Sequence, residues 1–93
     1  MMNWPDLPKV IVRVEMTKRG MTYADLVEAF GKIGIIEDER NLRNKIARST
    51  FSASFLLQCL AAMEITTVDL NSYGLPKPAA PVPAGPGLPE GWE

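Results

Sequence analysis

Four cations, Arg40, Arg43, Lys45 and Arg48, fall within nine residues that contain no acid, interleaved with Asn41 and Asn44. Cationic side chains neutralise backbone phosphates, whereas guanidinium and amide groups read base edges: arginine pairs with guanine and asparagine with adenine, both bidentately. Arg40, Arg43, Asn44, Lys45 and Arg48 are therefore the candidate DNA-contacting set, and Asn41, close to a helix start, is given a structural role. The same run has a blander reading, a solvated helix face whose arginines pair with Glu37, Asp38 and Glu39 just upstream. Taken alone, four cations are more often surface than site. Lys18, Arg19 and Lys32 read as ordinary solubilising charges.

Other chemistries find no residues to carry them. The chain has no histidine and one cysteine, Cys59, which removes Cys/His metal frameworks, disulfide scaffolds and Ser-His or Cys-His catalytic pairs. Glu37, Asp38 and Glu39 lack metal-ligand spacing, Ser49, Ser52 and Ser54 lack a base, and there is no glycine-rich phosphate loop. The expectation is a non-enzyme with no metal and no cofactor. Cys59 lies in an apolar stretch with no cation nearby in sequence to lower its pKa, so it reads as a buried structural residue. A lone cysteine fits a reducing compartment. No apolar run approaches the roughly 20 residues of a membrane span, and the N-terminus has no basic segment followed by an apolar one, so a cytoplasmic location without a membrane anchor is expected.

The elements that must position the basic cluster follow from periodicity. The chain has 93 residues, 46% apolar and 23% charged, enough for one small core. Composition shifts at Gly74: residues 74–93 hold six prolines and four glycines. That gives a helical domain over residues 7–73 and a Pro/Gly/Ala-rich flexible tail over 74–93, the tail being a free end or a polyproline ligand for another protein. Trp4 and Trp92 are candidates to pack back on the bundle or against a second subunit.

Within the domain, residues 9–16 alternate like a strand through Val10, Val12 and Val14, but Asp6 and Pro8 before them and Lys18-Arg19-Gly20 after them favour a helix over 8–19. Thr22 and Asp25 stand in capping-box positions, and Tyr23, Leu26, Val27 and Phe30 form one apolar stripe that ends at Gly31. After a packed loop, Asp38 caps a third helix through Arg48, with Leu42 and Ile46 inside and the cations outside or on the flanks. Ser52 caps a fourth helix, with Phe51 and Leu56 as a hydrophobic staple. Its apolar residues leave almost no polar face, which predicts the central buried helix. Thr66 or Thr67 is the predicted cap of a last short turn through Tyr73.

The result is an all-α, four- to five-helix bundle. Two stretches, Arg19-Gly20-Met21-Thr22-Tyr23-Ala24-Asp25-Leu26 and Asn41-Leu42-Arg43-Asn44-Lys45-Ile46 with Phe51-Ser52, resemble a small uncharacterised bacterial domain family. That family is itself similar to the lambda-repressor-like helix-turn-helix proteins, the phage repressor and Cro group. The resemblance covers about residues 9–70 and implies a helix-turn-helix-like core, with the third helix entering the major groove of double-stranded DNA. It implies a transcriptional regulator acting as a homodimer. Two departures stand out: the connection before the third helix is about five residues longer than the repressor turn, and Ser49 replaces a helix-ending glycine.

Net charge, -1 overall, divides unevenly. Residues 1–48 carry nine cations and seven acids, whereas residues 49–93 carry one cation and four acids. Positive charge is therefore concentrated where such a module meets DNA. The near-neutral total and the long connection favour the alternative, a non-catalytic protein-protein interaction module built on the same bundle.

Overall fold

The structure is a computed structural model that describes residues 3–75. It contains α1 (Leu7–Lys18), α2 (Tyr23–Lys32), α3 (Glu39–Arg48) and α4 (Ala53–Ala62), with 3-10 turns at Trp4–Asp6 and Leu70–Tyr73. Among the described residues there is no strand. The proline- and glycine-rich segment, including Trp92, lies outside the described residues from position 76 onwards.

The ambiguous first segment is helical. Pro8 sits in the first turn of α1, where a missing N–H costs nothing, and Gly20, at φ +63°, closes the other end. There the Gly20 N–H donates to the Thr17 carbonyl and the Met21 N–H to the Met16 carbonyl, the paired bonds of a Schellman cap. A rotation of 100° per residue separates the alternating valines: Ile11, Val12 and Met16 turn inward, while Val10 is exposed. Trp4 does not pack back on the bundle; it is 57% exposed in its 3-10 turn.

α2 begins as the capping box requires, with the Thr22 N–H donating to Asp25 Oδ2 at 2.9 Å and the Asp25 N–H donating to Thr22 Oγ1 at 3.1 Å. These bonds hold the Asp25 carboxyl below its ordinary range, the Thr22 backbone contributing most. The helix passes the predicted stop at Gly31 and ends at Lys32, because the left-handed residue that closes it is Gly34, at φ +82°. Asp38 caps α3 by accepting from the Arg40 N–H at 2.7 Å, and Ser52 caps α4 by accepting from the Phe55 N–H at 3.1 Å.

Ser49 serves two helices. At φ 57° it takes the left-handed conformation that ends α3. Its Oγ also accepts the Lys9 N–H at 3.0 Å, across 40 residues. Asp6 gives α1 no side-chain cap, so Ser49 satisfies a donor that α1 cannot satisfy itself. Ser49→Ala should therefore destabilise the domain by about 1 kcal/mol, the usual cost of a lost cap. Ser49→Gly loses the same bond but relieves a left-handed strain of about 1–2 kcal/mol, so its urea midpoint should stay close to the parent's. Equal midpoints for the two variants would remove the double role.

The core joins Val12 and Met16 of α1, Leu26 and Phe30 of α2, Leu42 and Ile46 of α3, and Phe55, Cys59 and Met63 in and just after α4. α2 packs on α3 and α4, and α1 packs on the same two helices. Phe30 stacks on Phe55 at 6.0 Å between ring centroids, and Phe51 meets Phe55 edge-on at 5.0 Å. The expectation of a central α4 is corrected. Only one stripe, Phe55, Cys59 and Met63, is buried, while Leu57 is 65% exposed. With no charge on the helix, the open side is marked only by Ser54 and Gln58, too faint a contrast beside the exposed Leu57 to show that neighbours cover just one side. The last turn is also corrected: Asp69, accepting from the Asn71 N–H at 3.0 Å, caps it in place of Thr66 or Thr67.

Candidate nucleic-acid interface

α3 directs Leu42 and Ile46 into the core and presents Arg40, Asn44, Ala47 and Arg48 to solvent. Arg40, Asn44 and Arg48 are spaced i, i+4 and i+8, so they form one stripe about 12 Å long at 1.5 Å per residue. Among the described residues, neither Arg40 nor Arg48 has a carboxylate within 4 Å.

The other two cations of the predicted set are engaged. Arg43 Nη2 lies 2.9 Å from Glu39 Oε1, and its guanidinium carbon sits 5.3 Å from the centroid of the Tyr23 ring. Lys45 is half-buried on the opposite flank, with Nζ 2.9 Å from Glu37 Oε1 and 4.7 Å from the Phe55 ring centroid. Lys45 is thus not part of the outer surface; it turns toward α4, where its aliphatic stem covers core aromatics and its charge meets a half-buried acid. Glu37, before α3, and Glu39, its first residue, take two of the four cations, so the bland reading holds for one arginine, Arg43, and for Lys45. They leave an Arg-Asn-Arg stripe open.

A further node joins three helices beside this stripe. Arg13 of α1 donates from Nε to Tyr23 Oη at 3.3 Å, while Arg43 of α3 lies over the same ring. Neither Arg13 nor the exposed edge of Tyr23 stands out in the linear sequence, because the strand-like alternation of residues 10–16 obscures the helical face on which Arg13 lies. Once α1 is read as a helix, Arg13 falls on the exposed flank of the face that buries Ile11, Val12 and Met16.

With this geometry established, comparison with known proteins is specific on one point. A family model described as a domain of unknown function, DUF6471, matches residues 4–68. The chain belongs to the DUF6471 family. Neither the curated proteins nor the solved structures provide a match. All four helices lie within the DUF6471 match, and the Leu70–Tyr73 turn lies beyond it. The DUF6471 chain connects α2 to α3 through residues 33–38, longer than the three or four residues of a usual helix-turn-helix turn.

The remaining chemical groups of the DUF6471 domain are structural. Cys59 is fully buried, and burial first, with the Glu37 charge second, pushes its thiol pKa up to about 12. The thiolate is thus suppressed at neutral pH, and with it nucleophilic reactivity. Glu15 is an unexpected interior acid, only 6% exposed, answered by Lys18 at 3.3 Å and Arg19 at 3.5 Å. These two cations are therefore committed to the fold rather than free for a ligand. Among the described residues, no cluster of acids, histidines or cysteines could hold a metal ion, and no helix is long and apolar enough to cross a membrane.

Proposed function

We propose that this DUF6471 domain is a lambda-repressor-like helix-turn-helix module that binds double-stranded DNA with the outer face of α3. The observation that carries this reading is the open stripe Arg40, Asn44 and Arg48, three groups of base- and phosphate-contacting type on one exposed face, with no acid paired to the arginines among the described residues. Arg40 and Arg48 supply phosphate contacts or pair with guanine, and Asn44, at the centre, pairs with adenine. Arg43 contributes from the flank, its charge partly answered by Glu39. The process served is transcriptional regulation in the cytoplasm. A single module of this size makes few contacts, so it acts as a homodimer on half-sites about 34 Å apart.

A second reading, a protein-interaction module that does not touch DNA, draws on a different observation. α4 carries no charged residue, Leu57 is 65% exposed, and Ile36, in the α2–α3 connection, is 98% exposed. Exposed apolar side chains of this kind suit a protein partner. The Pro-rich tail adds a second route to such a partner.

Salt separates the two. Each phosphate neutralised on B-DNA contributes about -0.9 to the slope of log affinity against log salt. Fluorescence anisotropy of the full chain with a pool of labelled duplexes, between 50 and 200 mM salt, should give a slope of at least about -2, the sum expected for two or more contacts. No binding, or binding that does not respond to salt, would leave the protein-interaction reading in place and end the DNA reading.

A further inference from the structure

We propose that Arg13, Tyr23 and Arg43 form a clamp for one phosphodiester of the DNA backbone, which makes α1 and α2 part of the interface rather than a support for α3. The inference rests on the DNA-binding reading above and extends it to residues outside α3.

Arg13 spends only Nε on Tyr23 Oη, so its two terminal amino groups have no protein partner among the described residues. Tyr23 Oη accepts that bond, and its own O–H proton then remains to be donated outward. Arg43 keeps Nη2 on Glu39, with its remaining donors free among the described residues and its guanidinium carbon 5.3 Å from the centroid of the Tyr23 ring. Two guanidinium groups and one phenolic hydroxyl therefore converge, with a single acid, Glu39, in contact. A phosphodiester offers acceptor oxygens and no donor, and guanidinium groups meet such oxygens in paired hydrogen bonds.

The other cations of α1 are already occupied. Lys9 lies 3.7 Å from Asp6 Oδ1, and Lys18 faces the buried Glu15. Arg13 is the cation of α1 that has no carboxylate within 4 Å among the described residues. It is also the one that reaches the helix next to α3. The Tyr23 ring beneath Arg43 and the bond to Glu39 restrain this side chain before a ligand arrives, which lowers the ordering cost of binding.

The test compares salt titrations of the full chain on labelled duplex DNA, for the parent, Arg13→Ala, Arg13→Lys and Lys32→Ala, with thermal melts by circular dichroism to show equal folding. Arg13→Ala should reduce the steepness of the slope by about 0.9 per subunit, so by about 1.8 for the homodimer, equivalent to about 12-fold less affinity lost between 50 and 200 mM salt, and by the same amount on every duplex sequence. Arg13→Lys keeps the charge and should keep the slope. Lys32→Ala, at the far end of α2, should titrate like the parent. A parent-like slope and affinity for Arg13→Ala would overturn the clamp while leaving the α3 reading intact. An equal change in slope for Lys32→Ala would overturn it too, since Arg13 would then count only as general surface charge. A parent that binds no duplex would overturn both readings.

Discussion

Replacing Arg40 and Arg48 together with alanine should abolish specific duplex binding at physiological salt while leaving the fold intact. Both side chains are exposed and neither holds an acid among the described residues, so the stability change should stay within about 0.5 kcal/mol. The binding change is much larger. A base contact of this kind contributes about 1–3 kcal/mol of discrimination, so losing two should weaken a specific complex by at least about 30-fold. If the arginines instead meet phosphates, the salt slope of the homodimer should become shallower by about 3.6, two contacts being lost per subunit, and sequence preference should survive. Anisotropy across a salt series, with two unrelated duplexes, reads both outcomes. Arg43→Ala provides the contrast. It removes one flank contact and a surface pair with Glu39, and should cost less than the double variant. If the double variant binds as the parent does, α3 does not enter the groove by this face.

The largest stability effect is expected at Phe30. The residue is fully buried in α2 and stacks on Phe55, the aromatic that also meets Phe51 and lies beneath Lys45. Truncating a buried phenylalanine to alanine costs about 3–5 kcal/mol, part lost transfer energy and part cavity. Small domains hold only about 5–15 kcal/mol in total. Phe30→Ala should thus lower the midpoint of thermal unfolding by at least about 12 °C, at about 4–8 °C per kcal/mol for a domain of this length. Leu57→Ala tests the same packing from the other side: exposed on α4, it should change stability by no more than about 0.5 kcal/mol. If Leu57→Ala matched Phe30→Ala, α4 would be the central helix after all.

The contrast between these two residues shows what the amino-acid order could reveal. α2 is legible because Tyr23, Leu26, Val27 and Phe30 alternate with Asp25, Glu28 and Lys32, so apolar and charged faces separate cleanly. α3 is legible for the same reason, with Leu42 and Ile46 set against four cations. α4 contains no charge; its open side is marked only by Ser54 and Gln58, and Leu57 beside them blurs the boundary with the buried stripe Phe55-Cys59-Met63. The three helix starts at Thr22, Asp38 and Ser52 were readable because a side-chain oxygen at the cap position bonds to a backbone N–H two or three residues ahead. The fourth start was only half readable, since the donor it leaves is satisfied from residue 49.

The candidate site divides in the same way. Helical spacing places Arg40, Asn44 and Arg48 on one face without any knowledge of the fold. Whether Arg43 and Lys45 join them depends on which acids lie within reach. Glu39, one turn upstream, can be read from the sequence, but Lys45 reaches Glu37 and the Phe55 ring only because the connection folds back towards α4. Arg13 and Tyr23 are ten residues apart on different helices, and nothing local links them.

The bond between Ser49 and Lys9 also bears on how the chain comes into being. Translation delivers α1 first, yet the hydroxyl that completes its opening turn belongs to the residue that ends α3. Until residue 49 is made, α1 keeps an open backbone donor at Lys9, and until α3 and α4 are made Val12 and Met16 lack most of their core partners. Isolated helices of this length are marginal in water. The nascent chain therefore cannot secure its first helix early: α1 packs on α3 and α4, so its apolar face is fully covered only once the residues up to Met63 are available.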